Sequence, residues 1–278
     1  MNVLFLCTGN TCRSPMAAAL YAKLAPHDHA ESAGLCAAAG LPASPNMLAL
    51  AEAFGVDLSG HRSRQLTPAL LKAADRVICL SARHARRLAL PEERLRVLGG
   101  GVADPYGGAP EEYRACAEQM RAAMPGLRKD LHARCHIAPV EDAFLPAMAA
   151  LERAVFQPPA SEVRLREKLG TGHARALAAL TGREMAGFII VDEIADEAFV
   201  DDVAVFPARQ RQGIGSALLA RAEQGAILRG CGVIHLEVRE SSPARALYAA
   251  RGYREVGRRK GFYSSPTEDA ILMTMFVE

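Results

Sequence analysis

Val3-Leu4-Phe5-Leu6-Cys7-Thr8-Gly9-Asn10-Thr11-Cys12-Arg13-Ser14-Pro15-Met16 is the stretch on which the reading of this chain turns. Val3 to Leu6 is a short apolar run of the kind that fits a strand covered on both faces. Ser14 followed by Pro15 predicts a helix entry: a hydroxyl to cap the free amides, then a residue pre-set for the first turn. The loop between them points backbone N–H groups at the positive end of a helix, which makes an anion site. A thiol at Cys7 in that site is expected to be held as thiolate, because the amides and Arg13 favour negative charge. The thiolate can attack phosphorus while Arg13 grips two oxygens of the phosphoryl group. Cys7 alone fits an ordinary buried cysteine equally well. Gly9, Arg13, Ser14 and Pro15 around it favour the phosphate reading.

With those residues in place, the run resembles the low-molecular-weight protein tyrosine phosphatase family, over about residues 1–135. The resemblance implies catalysis by Cys7 and Arg13 and substrate binding by Thr8, Gly9, Asn10, Thr11, Cys12 and Ser14. Asp104-Pro105-Tyr106 follows a Gly-Gly-Gly loop. Asp-Pro by itself is a common turn dipeptide. A phosphocysteine enzyme needs a proton donor for its leaving group, and beside Cys7 this segment matches the family's general acid, Asp104. His61-Arg62-Ser63 also resembles a family segment and is assigned a structural role. Thr11 stands where the family's tyrosine phosphatases carry an aliphatic residue, and the run resembles the protein arginine phosphatase branch. That likeness implies phosphoarginine over phosphotyrosine, the threonine narrowing the pocket. It also implies that Cys12 traps an oxidised Cys7 as a reversible disulfide. An arsenate reductase shares the loop but relays a disulfide through two further cysteines. Cys79 lies near the expected place, and no second cysteine follows within the next dozen residues.

The totals agree with an intracellular two-domain enzyme. A length of 278 residues suggests two domains of ordinary size, and 50% hydrophobic residues can fill their cores. A net charge of +2 leaves no nucleic-acid or membrane footprint. Seven scattered cysteines with no Cys-x-x-Cys pair point to a reducing cytoplasm, not a disulfide framework. The N-terminal apolar run is too short for a signal peptide, and no stretch approaches a membrane span. No metal is expected.

In the first half, helices are predicted from Pro15 to Leu24, from Pro45 to Phe54 with Gly55 as the stop, and from Pro68, capped by Thr67. Strands are predicted at Arg76–Leu80 and Leu95–Leu98, with a strand end at Ser32–Gly34. Alternation of this kind argues for an α/β fold with a doubly wound parallel sheet. Pro110 to Arg134 reads as helix, broken at Met124-Pro125-Gly126.

From His136 the pattern changes, which gives expected domains of 1–135 and 136–278. His136–Val140 reads as a strand, Glu141–Phe156 and Ser161–Leu169 as helices. Strands follow at Ala174–Leu180, Met185–Val191 and Phe199–Val205, with Thr181-Gly182-Arg183 as a hairpin turn. Gln210-Arg211-Gln212-Gly213-Ile214-Gly215-Ser216 then leads into an apolar helix. Glycines at 213 and 215 let backbone amides approach a pyrophosphate at the helix N-terminus. An ordinary helix-entry turn also fits a lone Gly-x-Gly. The strand before and the strand Val233–Val238 after raise the ligand reading.

This half resembles the GNAT acetyltransferase superfamily, nearest to its ribosomal-protein-alanine N-acetyltransferases. The likeness rests on Asp202-Val203-Ala204-Val205, Leu236-Glu237-Val238-Arg239, Ala246-Leu247-Tyr248 with Gly252-Tyr253, and Glu268 to Met273. It implies a mixed, largely antiparallel sheet. It also implies acetyl-coenzyme A as co-substrate, its pantetheine arm paired to Val203, Ala204 and Val205 and its pyrophosphate on Arg211, Gln212, Gly213, Ile214, Gly215 and Ser216. Glu237 is then the base and Tyr248 the acid. Ser241-Ser242 stands where the family usually has Ser-Asn, which weakens one cofactor contact and the Tyr248 assignment. The expected function is twofold: dephosphorylation of a protein, and acetylation of a protein N-terminus such as the alanine of a small-subunit ribosomal protein. A different reading keeps a tyrosine phosphatase with a GNAT module that senses acetyl-coenzyme A or docks a partner without chemistry.

Overall fold

The alternation of short apolar runs with alanine- and leucine-rich helices closes a parallel sheet. In the computed structural model, which describes residues 1–182 and 184–278, the first part of the chain runs β1 (Asn2–Cys7), α1 (Arg13–Leu24), β2 (His29–Gly34), α2 (Pro45–Ala51), α3 (Pro68–Ala73), β3 (Arg76–Cys79), α4 (Ala82–Ala85), β4 (Leu95–Val97) and α5 (Pro110–Leu131). The strands are all parallel, in the order β2-β1-β3-β4. Residues 3–7 of β1 are buried, as a strand covered on both faces must be. Phe5 and Leu6 have no exposed surface; burial of each contributes about 1.5–3 kcal/mol. Because β1 has β2 on one side and β3 on the other, the loop after Cys7 lies at the carboxyl end of the sheet's switch point, where open α/β sheets bind ligands.

Two local expectations are corrected. Ser14 does not cap α1: the N-cap is Cys12, with no side-chain bond, and Ser14 lies inside the first turn with its hydroxyl turned to the sheet. Met124-Pro125-Gly126 does not break α5, which runs through Pro125. The missing N–H costs one helical bond, and burial of Met120, Met124 and Leu127 on one face offsets it. Thr67 caps α3 as expected, its hydroxyl accepting from Leu70 N.

The second part runs β5 (His136–Pro139), α6 (Leu145–Val155), α7 (Glu162–Leu169), β6 (Ala174–Thr181), β7 (Glu184–Ile194), β8 (Glu197–Val205), α8 (Ile214–Arg229), β9 (Val233–Arg239), α9 (Ala244–Ala250), β10 (Arg254–Tyr263) and β11 (Glu268–Phe276). Of the expected hairpin turn, Arg183 lies outside the described residues. The sheet order is β10-β11-β9-β8-β7-β6-β5, antiparallel except for β8 with β9. Leu145, Met148, Leu151 and Leu165 of α6 and α7 bury Phe188, Ile190 and Ala204 on one face of β7 and β8. On the other face, Val205 lies against the start of α8 at Gly215.

The chain divides into two compact units, Met1–Arg128 with Val277–Glu278, and Lys129–Phe276. The expected break was at Cys135. The last residues of α5 fall in the second unit, where Asp130 pairs with Arg251 at 2.5 Å and accepts from the Ser216 hydroxyl.

Candidate functional site

In the first unit the loop from Thr8 to Cys12 is held by a side chain that reading by spacing alone did not single out for this purpose. Asn10 is fully buried and sits at φ 55°, a left-handed conformation that asparagine tolerates better than most residues. Its Nδ2 donates to Ser14 Oγ at 2.9 Å and Ser32 Oγ at 2.8 Å. Its Oδ1 accepts from Arg64 N at 2.9 Å, and its carbonyl accepts from His61 Nε2 at 2.7 Å. The expected structural role of the His61 segment thus has a geometric counterpart. Gly34, at the end of β2, lies so close to the loop that a Cβ there would meet Thr8 O at 2.6 Å. Leu35 N and Cys36 N donate to the carbonyls of Cys7 and Thr8, closing the loop from behind.

Cys7 Sγ sits on the floor of this loop, 3% exposed. Asn10 N donates to it at 3.3 Å, and Ser14 Oγ lies 3.1 Å away. Arg13 opens α1 almost fully buried, donating from one guanidinium nitrogen to Val102 O at 3.0 Å and from another to Asp104 Oδ2 at 2.5 Å. Asp104 is half exposed, its Oδ1 accepting from Tyr106 N at 3.3 Å, and the Tyr106 ring stands in solvent. Thr11, half-buried, lies beside Gly9 and is tied by its carbonyl to Ser44 N at 2.7 Å. Cys12 is buried, and burial first, then Cys116, pushes its thiol up to about 12.

His84 is a further residue at this loop that no motif marks. It is buried, and its Nε2 lies 3.0 Å from Thr8 Oγ1, so it braces the loop from the β3 side. Burial and the neighbouring Arg13 push it down to about 4, which keeps it neutral. A lone histidine in an Ala- and Arg-rich segment carries no sequence signal that would have revealed this.

In the second unit, β8 and β9 pair in parallel from Glu197–Val233 to Val200–Leu236 and then part. Asp201 is the extra residue of a bulge, since Val191 pairs Val200 while Ile190 pairs Asp202. Val203, Ala204 and Val205 stay paired to β7, and their other edge is free of β9 among the described residues. Just beyond, Arg211 and Gly213 have positive φ, and Gly213 caps α8 with no side-chain bond. Residues 209–212 are exposed. An open strand edge followed by an uncapped helix N-terminus is a cradle of free amides.

Glu237 stands on β9, paired with Arg259 at 2.7 Å. Tyr248 on α9 is buried, edge to face with Tyr253 at 5.9 Å, and burial pushes its phenol up to about 12, so it keeps its proton at neutrality. Ser242, where the family has asparagine, accepts from Ala244 N at 3.2 Å and serves the turn into α9. Among the described residues no group of three or more His, Cys, Asp or Glu could hold a metal, and no helix is long and apolar enough to cross a membrane.

Known proteins match each half separately. The family model for low molecular weight phosphotyrosine protein phosphatase matches residues 2–136. That for the acetyltransferase (GNAT) family matches residues 142–253. A protein-arginine-phosphatase of Geobacillus stearothermophilus is 35% identical over 142 residues, covering 47% of this chain and 95% of that protein. The low molecular weight protein-tyrosine-phosphatase Wzb of Escherichia coli K12 is 36% identical over 130 residues, covering 46% and 88%. The [ribosomal protein bS18]-alanine N-acetyltransferase of the same strain is 34% identical over 142 residues, covering 50% and 95%. The chain is a fusion whose first half belongs to the low-molecular-weight phosphotyrosine protein phosphatase family and whose second half belongs to the GNAT acetyltransferase family.

Proposed function

We propose that the chain carries two activities: removal of phosphate from phosphoarginine in a protein, and acetylation of the N-terminal alanine of a ribosomal protein. The observation that carries the first is Cys7 Sγ held between Asn10 N and the Ser14 hydroxyl, beside the Arg13–Asp104 pair. Cys7 attacks as thiolate, a sulfur–phosphorus bond forms, and the nitrogen–phosphorus bond breaks. Arg13 turns from Asp104 to the phosphoryl oxygens, and Asp104, which takes a proton from water once that ion pair is released, gives it to the leaving guanidine nitrogen. Water, deprotonated by Asp104, then hydrolyses the phosphocysteine. The amides of Thr8, Gly9, Asn10, Thr11, Cys12 and Ser14 hold the phosphate.

Identity does not separate the arginine from the tyrosine phosphatases, at 35% and 36%. Thr11 supports the arginine reading through its likeness to the arginine phosphatases, and its hydroxyl lies on the Gly9 side of the loop. Phosphoarginine and phosphotyrosine peptides are assayed side by side. Thr11→Ile is expected to move the preference toward phosphotyrosine by about tenfold or more; an unchanged preference overturns this role.

The open edge of Val203, Ala204 and Val205 and the cradle from Arg211 to Ser216 fit acetyl-coenzyme A, which supplies the acetyl thioester when bound. Glu237 takes the proton of the acceptor amine, directly or through water. The amine nitrogen bonds to the acetyl carbon as the carbon–sulfur bond breaks, and Tyr248 gives its proton to the sulfur. Glu237→Gln is expected to abolish acetylation of an alanine-terminated peptide while binding coenzyme A normally; unchanged turnover refutes the base. The seven free cysteines support a reducing cytoplasm as the place of action.

A further inference from the structure

In the second unit a cavity of about 600 Å³ is lined by the α6–α7 connection, Asp202 of β8, Arg239 of β9 and the β10–β11 turn. Its volume lies within the range of small-ligand sites. Two of its lining carboxylates, Glu152 and Asp202, have no part in the chemistry described above. Glu152 is 2% exposed. Its Oε2 accepts from Ala160 N at 2.9 Å, and its Oε1 has no hydrogen-bond partner among the described residues. Burial raises both carboxyls, and each further raises or is raised by a neighbouring carboxylate, Asp202 for Glu152 and Asp192 for Asp202.

The cations around them are engaged elsewhere. Lys168 pulls both carboxyls down but is paired with Asp201 and, at 3.6 Å, with Asp192. Arg239 pairs with Glu268 at 3.4 Å, donates to the carbonyls of Pro266 and Ser264, and lies over the Tyr263 ring. Arg153 and Arg164 stand on the exposed rim. A buried carboxylate oxygen without a partner costs several kcal/mol in apolar surroundings, and a cation brought to it recovers that cost.

The position of the pair says which cation. Asp202 directly precedes Val203, where the free edge of β8 begins. Side chains of β9 alternate, with Ile234, Leu236 and Val238 buried, so Glu237 shares the face of Arg239, which lines the cavity. An acceptor α-amine has a pKa near 8 and arrives at neutral pH as an ammonium ion.

We propose that Glu152 and Asp202 form a subsite that binds the protonated amino terminus of the acceptor peptide before Glu237 takes its proton. This rests on the reading of the second unit as an amine acetyltransferase, and the test is therefore a binding measurement that needs no turnover. Titration calorimetry on the full chain with coenzyme A compares a tetra-alanine amide bearing a free N-terminus with its N-acetylated twin. The unmodified chain is expected to prefer the free amine by about tenfold or more. Asp202→Asn is expected to reduce that preference to about twofold, and Glu152→Gln, which keeps an acceptor for Ala160 N, to do likewise. Unchanged coenzyme A affinity in both variants shows that the unit is folded. Equal binding of the two peptides by the unmodified chain, or an intact preference in Asp202→Asn, overturns the proposal. A chain that discriminates but transfers no acetyl group refutes the catalytic reading and leaves the ammonium subsite standing.

Discussion

Between β1 and α1 the loop is closed. Asn10 has no exposed surface, Gly34 presses from β2, and the Cys7 sulfur lies at the floor. Between β8 and α8 the loop is open. Residues 209–212 are exposed, and Gly213 caps the helix with no side chain. Both loops end at a helix N-terminus and both suit an anion. The difference teaches that the dipole alone only holds a phosphate. The first loop adds enclosure, its donors and acceptors fixed by Asn10 before anything binds. The second loop stays accessible, its amides at the surface beside the free edge of β8.

Four changes break or sharpen this comparison. Cys7→Ser removes the nucleophile and is expected to lower dephosphorylation roughly 10⁴-fold or more, leaving acetyl transfer unchanged; a loss in both assays would show that the halves are not independent. Asn10→Ala attacks the enclosure without touching the sulfur. It strands groups on Ser14, Ser32 and Arg64, and at about 1–3 kcal/mol for each unsatisfied buried group the first unit is expected to lose at least ~2 kcal/mol in a urea titration. The equivalent insult to the open loop, Gly213→Ala, acts on φ 83°. It is expected to weaken coenzyme A binding by about fivefold, roughly 1 kcal/mol, by calorimetry.

The smallest effect is on pH. His84 braces the closed loop as a neutral ring, among Arg13, Arg83, Arg87 and Asp104. Its folded value, about 4, lies below its ordinary 6.5. The unfolded chain therefore binds the proton first, and this contribution to stability is present above pH 6.5 and lost as pH falls toward 4. Urea midpoints at pH 7 and pH 4.5 are expected to differ more for the unmodified chain than for His84→Gln. An equal difference removes the brace.

Particular residues show how far one-dimensional reading reached. Thr67 is legible as a cap because a hydroxyl before a helix has little competition on the surface, and it accepts from the amide three residues on; Ser161, read as the first residue of its helix, turns out to be such a cap too. Ser14 looked the same on paper but is buried, where Cys7 Sγ and Asn10 Nδ2 take its hydroxyl. Pro125 carried a stop signal that burial of its neighbours outweighed. Asp202 sat inside a quoted motif, yet nothing in the chain brings Glu152 to it, fifty residues away in sequence.

The order of apolar runs and helix starts determined by itself that this chain has two α/β halves, and the spacing of Cys7 to Arg13 and of Gly213 to Gly215 marked the two loops that open a helix. Those signals are local, and local hydrogen bonding and periodicity carry them. Tertiary structure alone decided which side chains meet: His84 on Thr8, Arg13 on Asp104, Glu152 left with a bare oxygen beside Asp202. Burial sets the protonation of such groups, and burial is a property of the packed chain, not of any segment of it.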